Sequence, residues 1–114
     1  MKMFTNSEQT AKLIELGFEK PRIAASALKW EYGIPTLYPR YTIGELIEML
    51  PTMIGEGDFN GEPLFRYSFV LAGTTKWIVG YELFAKFNQY VSKREELVDA
   101  LYDMVVKLKE EGVI

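Results

Sequence analysis

Apolar residues recur along this chain with two different periods. Around residues 6–16, 43–50 and 93–111 they follow helical spacing, while across 65–71 and 76–81 they alternate. Each helical stretch begins with a capping-box pattern: Thr5 with Glu8, Thr42 with Glu45, and Ser92 with Glu95. In such a box the hydroxyl accepts the backbone N–H three residues on, and the glutamate reaches back to the cap N–H. Ala11, Leu13, Ile14 and Leu16 form the apolar side of the first helix, which Gly17 and Pro21 end. Ile43, Leu46, Ile47 and Leu50 mark the second, with Tyr41 and Leu46 placed as a hydrophobic staple and Pro51 as the stop. The third carries a stripe of Leu97, Val98, Ala100, Leu101, Met104, Val105 and Leu108, with Gly112 positioned as its C-terminal cap.

The alternating stretches predict a β-hairpin. Phe65, Tyr67, Phe69 and Leu71 lie on one side of the first strand, and Trp77, Val79 and Tyr81 on one side of the second. A three-residue loop at 73–75 sets Leu71 against Trp77, Phe69 against Val79 and Tyr67 against Tyr81, gathering the rings on one face. A two-residue loop at Gly73–Thr74 would place Tyr67 and Tyr81 on opposite faces, because a one-residue slip moves every side chain across the sheet. The first register is preferred. Residues 22–32 are Ala-rich, which favours a helix, but Leu28, Trp30 and Tyr32 alternate with charged residues, which favours an additional strand near 26–32. Residues 83–91 fit helical spacing slightly better than strand, through Phe84, Phe87 and Val91. Residues 55–63 read as a loop. The expected fold is a two-layer α+β domain, one unit over residues 1–114, with an antiparallel hairpin or small sheet covered by about three helices.

Composition then narrows the function. The chain has 114 residues, enough for one core, and a net charge of −3 that disfavours a phosphate backbone as partner. It has neither cysteine nor histidine, which removes disulfides, thiolate chemistry, the commonest general base and the commonest metal ligand. The first residues lack the apolar run of a signal peptide, and no stretch is long and apolar enough to span a membrane. The expectation is a cytoplasmic location.

Two stretches, Tyr-Thr-Ile-Gly-Glu-Leu-Ile-Glu-Met-Leu-Pro at 41–51 and Glu-Leu-Val-Asp-Ala-Leu-Tyr-Asp-Met-Val-Val-Lys-Leu at 96–108, resemble helices of small uncharacterised bacterial and phage-like domain proteins. The resemblance covers about a third of the chain. It implies two structural helices and a mobile-element origin, and it brings no catalytic residues.

Candidate chemistry is sparse. Residues 56–62 (Glu-Gly-Asp-Phe-Asn-Gly-Glu) echo a calcium loop, but the first position is Glu56 and the twelfth, where a bidentate glutamate belongs, is Tyr67. Glu45, Glu48, Asp99 and Asp103 are the acids available for carboxylate catalysis, yet Glu45 belongs to a cap and Asp103 is spaced to pair with Lys107. Lys76, Lys86, Lys93 and Arg94 form a possible basic cluster. The expectation is therefore a non-catalytic module that needs no cofactor or metal and binds a protein partner or itself, as a homodimer. Its surface is expected at Trp30, Tyr32, Leu37, Tyr38 and Tyr41, where aromatics stand among prolines, or at an unpaired strand edge of the hairpin. The alternative, a small-ligand or nucleic-acid binder, requires the ring-bearing hairpin face to be open.

Overall fold

A computed structural model describes the backbone of residues 2–22, 27–57, 60–73 and 75–114, and the side chains of these residues except 27–31, 36 and 37. The chain order is α1 (Ser7–Glu15), β1 (Ala27–Glu31), β2 (Ile34–Tyr38), α2 (Ile43–Met49), β3 (Met53–Glu56), β4 (Phe65–Gly73), β5 (Trp77–Leu83), β6 (Lys86–Arg94) and α3 (Leu97–Glu110). This is an α+β fold. β3, β4, β5 and β6 form one antiparallel sheet in that order, and β1 and β2 form a separate two-stranded hairpin. The molecule is elongated, 58 × 33 × 20 Å, with a radius of gyration of 16.1 Å against roughly 13 Å for a compact chain of this length.

The core lies between the inner face of the large sheet and the helices. All seven residues of the α3 stripe are buried, and they pack with Leu13 of α1, Leu46 of α2, and Ile54, Val79, Tyr81 and Tyr90 of the sheet. Gly17 and Gly112 both adopt the left-handed conformation expected of helix-ending glycines, with φ of +98° and +75°.

Only the middle capping box forms as expected: Thr42 Oγ1 accepts the Glu45 N–H, and Glu45 accepts the Thr42 N–H. At α1 the box sits one residue later, between Asn6 and Gln9. Thr5 is unavailable because it is buried and bound to Tyr41: its Oγ1 accepts the Tyr41 N–H at 3.0 Å and its N–H donates to the Tyr41 carbonyl. At α3 the Ser92–Glu95 box is absent and the helix starts later, at Leu97. β6 continues through Ser92, Lys93 and Arg94, which pair with Val79, Ile78 and Trp77, and a run of ladder bonds outweighs one cap.

The β4–β5 hairpin keeps the favoured face assignment with its partners moved by two. Gly73 faces Trp77, Leu71 faces Val79 and Phe69 faces Tyr81, so the three-residue connection is 74–76. An even shift preserves parity, which is why the rings still share the inner face; Phe69 and Tyr81 meet edge-on with centroids 5.7 Å apart. Tyr67 faces Ile54 of β3, an edge strand whose last two residues, Gly55 and Glu56, fall in the stretch read as loop. β1 is the expected additional strand. Residues 86–94 form a strand and not a helix, because Phe84 and Ala85 take positive φ (53° and 61°) and turn the chain in two residues, with Leu83 facing Lys86.

One polar cluster ties the N-terminal segment to α3. Lys2 donates from Nζ to Asp99 Oδ1 at 2.8 Å and to Gln9 Oε1, its backbone N–H donates to Glu96, and Gln9 Nε2 also donates to Asp99. Burial is the largest single influence on Asp99 and opposes its ionisation. The Lys2 and Gln9 hydrogen bonds, together with the charges of Lys2 and Arg94, outweigh burial and leave its pKa below the ordinary value of 3.8. A carboxyl depressed in the fold adds stability above its unfolded pKa and loses it as pH falls through the folded one. Asp99→Asn is expected to cost about 1–2 kcal/mol at neutral pH and progressively less as the pH falls below 3.8. Urea denaturation of both proteins at pH 7 and pH 3 checks this; an equal cost at the two pH values refutes it.

Candidate functional site: the open end of the curled sheet

β4 and β6 are nine residues long, about 30 Å each, whereas α3 has fourteen residues and reaches about 21 Å. The sheet therefore outruns its helix. At the end formed by the close of β3 and β5 and the start of β4 and β6, the inner face is left uncovered. The sheet also curls there: Asn88 on β6 donates from Nδ2 to Glu56 Oε1 on β3 at 3.3 Å, although these are the two outer strands. A β-bulge between Gly80 and Glu82 on the β5–β6 ladder permits this bend, and the Tyr90 N–H turns to Asn88 Oδ1 at 2.9 Å.

The result is a cup of about 650 Å³ lined by Ile54, Gly55, Glu56, Gly57, Tyr67, Asn88, Gln89, Tyr90 and Val113. Tyr90 is buried in its wall, with the Lys107 ammonium 5.6 Å from the ring centroid and hydrogen-bonded to the Gln89 carbonyl. Tyr67 is half-buried and opens into the space. The lip is apolar: Leu64, Phe65 and Phe84 are 56, 47 and 89 % exposed. Leu64 lies over Gly57, where an added Cβ would come within 3.0 Å of it. Ser68 with Glu82 is the last β4–β5 pair, so the Phe84–Ala85 turn, two residues after Glu82, and Phe65, three residues before Ser68, both stand at this end of the sheet. A bulky side chain with positive φ is uncommon and strained, and such strain clusters at functional sites.

The surface expected from the sequence comes apart in space. Tyr32 is fully exposed at the β1–β2 turn with φ of 51°, and Tyr38 is half-buried. Tyr41 is a correction: it is 1 % exposed, belongs to the core, and its hydroxyl donates to the Glu19 carbonyl. Burial, and then the charge of Glu45, raises its pKa. The side chains of Trp30 and Leu37 lie outside the described set. Of the hairpin rings, Tyr81 is completely buried and Phe69 and Trp77 are half-covered, so only Tyr67 presents itself to a ligand in the cup.

The remaining candidates disperse as well. Glu45 and Glu48 line a second cavity of about 270 Å³ with Phe18 and Tyr41. Glu45 there accepts backbone N–H groups of Thr42 and Arg22, and Glu48 pairs with the Arg22 guanidinium. Arg94 bridges Asp99 and Asp103. Lys76, Lys93 and Arg94 do meet, in a cavity of about 260 Å³ shared with Glu95, Glu96 and Asp99, while Lys86 lies at the far end of β6. Among the described residues no three acidic side chains gather to hold a metal ion, and no helix is long and apolar enough to cross a membrane. Residues 58 and 59 of the calcium-like loop lie outside the described set.

Comparison with family models, with curated proteins and with solved structures finds no match. The cup is therefore read from its own geometry. Sequence reasoning missed it because its two decisive features, a helix shorter than its sheet and a tight turn made of Phe84 and Ala85, leave no local motif.

Proposed function

We propose that this protein is a non-catalytic binding module that takes a protein partner on the lip of the cup. The observation that carries this reading is Phe84, an almost fully exposed ring held at φ 53° at the same end of the sheet as exposed Phe65 and Leu64. An apolar surface around a concave site is the usual anatomy of a protein contact. The missing histidine and cysteine favour binding over catalysis, and a cytoplasmic, mobile-element setting suits such a module. A photoreactive benzoylphenylalanine at position 84 or at position 65 is expected to capture the same protein in cells, and at exposed Lys20 to capture none. Different captures at 84 and 65, or equal capture at 20, defeat the reading.

A small ligand inside the cup is the second reading, favoured by half-buried Tyr67 beside Glu56 and Asn88. The two separate on Tyr67→Ala, which removes the interior ring and leaves the lip. Glu56, Glu62 and Glu82 outnumber Arg66 and Lys86 at this end, and with the chain's net charge of −3 this disfavours a nucleic acid.

A further inference from the structure

We infer that a second copy of this chain pairs with the open edge of β4 at residues 71–73, joining the two sheets across a two-fold axis at Ala72. β3 pairs with β4 only over residues 65–68. The Phe69 N–H still finds the Thr52 carbonyl at 2.9 Å, so the odd-numbered residues of β4 turn their backbone groups toward the β3 side. Alternation along a strand then points the N–H and C=O of Leu71 and Gly73 the same way, beyond the end of β3. Among the described residues no hydrogen bond takes these four groups.

The opposite edge of the sheet shows how this chain treats an edge that is meant to stay single. β6 carries Lys86, Lys93 and Arg94, faces a bulge, and has its Gln89 carbonyl taken by Lys107 and its Tyr90 N–H by Asn88. Charges, bulges and side-chain cover are the devices that prevent strand addition. The β4 edge has none of them: residues 69–73 read Phe-Val-Leu-Ala-Gly, without charge, proline or bulge.

The same edge is complementary to itself. With the axis at Ala72, Leu71 of each copy lies across from Gly73 of the other, and the four open groups on each side form four hydrogen bonds. Gly73 has no side chain, and the Trp77 ring lies against it, 3.0 Å from where a Cβ would be. Leu71 thus meets an apolar ring in the space a side chain would otherwise fill. Ala72 meets Ala72 as a non-hydrogen-bonded pair, the closest approach in an antiparallel ladder and one that small residues permit. A foreign strand gains the backbone bonds without this match. The edge lies at the end of the sheet away from the cup, so its failure would leave the cup reading intact.

Because the chain has no cysteine, the pairing is testable by one substitution. Ala72→Cys places two thiols across a pair with Cα atoms about 4.5 Å apart, inside the span of a disulfide. Ile78→Cys, on the adjacent strand opposite Ala72, places its two copies about 14 Å apart, beyond that span. Under a mild oxidant, Ala72→Cys is expected to cross-link at least about tenfold faster than Ile78→Cys, and the unmodified chain to sediment as a monomer–dimer mixture at high concentration. Equal cross-linking rates, or sedimentation as a strict monomer up to millimolar concentration, overturn the inference. So does a foreign strand captured at Cys-substituted position 72 in place of the second copy.

Discussion

Raising the pH from 10 toward 12 is expected to destabilise this protein, and one phenol makes the largest single contribution. Tyr81 is completely buried, its ring packs edge-on against Phe69, and its hydroxyl donates to the Pro51 carbonyl at 2.7 Å. Burial pushes its pKa from the ordinary 10.0 up to about 12. Below pH 10 the phenol is neutral in both states and its contribution is intact. Above pH 10 the unfolded chain releases the proton while the fold holds it, so stability falls until the folded pKa is passed. Two pH units of difference correspond to about 3 kcal/mol, a large fraction of the 5–15 kcal/mol that holds a typical domain. Burial raises Tyr41 in the same direction, which adds to the loss. Tyr81→Phe is expected to cost about 1–2 kcal/mol at pH 7, by leaving the Pro51 carbonyl without its donor, and to flatten the alkaline slope. Urea denaturation at pH 7, 9, 10 and 11 separates the two effects. An unchanged slope in Tyr81→Phe refutes the assignment.

Those tyrosines also show what could be read from the sequence and what could not. Local signals survived wherever tertiary structure made no competing demand. The Thr42–Glu45 box and the glycines at 17 and 112 are of this kind, as is the α3 stripe, every member of which is buried. Signals failed where a distant partner claimed the residue. Thr5 has the right spacing to cap α1 but serves Tyr41 instead, and Ser92 remains in a ladder opposite Val79. Tyr41 stands among prolines in the sequence, as surface residues often do, and its burial depends on Thr5, Glu19 and the core of α2, none of which a spacing rule can bring together. β6 was hidden for a different reason. Phe84, Phe87 and Val91 mimic a helix because the first occupies a turn, the second lies over Gly80 on the outer face, and a bulge breaks the alternation between the second and third.

The cup and the open edge both come from mismatched lengths. α3 is too short to cover the sheet it packs on, and β3 is too short to complete the strand it pairs with. Neither mismatch is visible as a residue pattern, since each is a relation between elements far apart in the chain. They place two exposed apolar features at opposite ends of one sheet. A pair of copies joined at one end would present two lips at the other, and a partner with two binding points would gain from both at once.

The most direct probe of the lip is a substitution that should improve the fold. Phe84 and Ala85 both have positive φ, the conformation that a two-residue hairpin turn of this type demands and that Asn-Gly adopts most readily. Each ordinary L-residue held there costs about 1 kcal/mol. Replacing the pair by Asn-Gly is therefore expected to stabilise the protein by about 2 kcal/mol, raising its melting temperature by on the order of 8 °C. The same change removes the ring that carries the proposed contact, so capture of the partner through position 65 should fall by about tenfold or more. Ala85→Gly alone divides these outcomes: it relieves half of the strain, about 1 kcal/mol, and keeps Phe84, so stability rises while binding stays. A turn retained only for folding would give the stability gains with binding unchanged in all variants, and that result would dismiss the lip as the docking surface. Greater stability with loss of partner in the double variant, and greater stability with the partner retained in Ala85→Gly, is what a strained turn kept for its exposed ring requires.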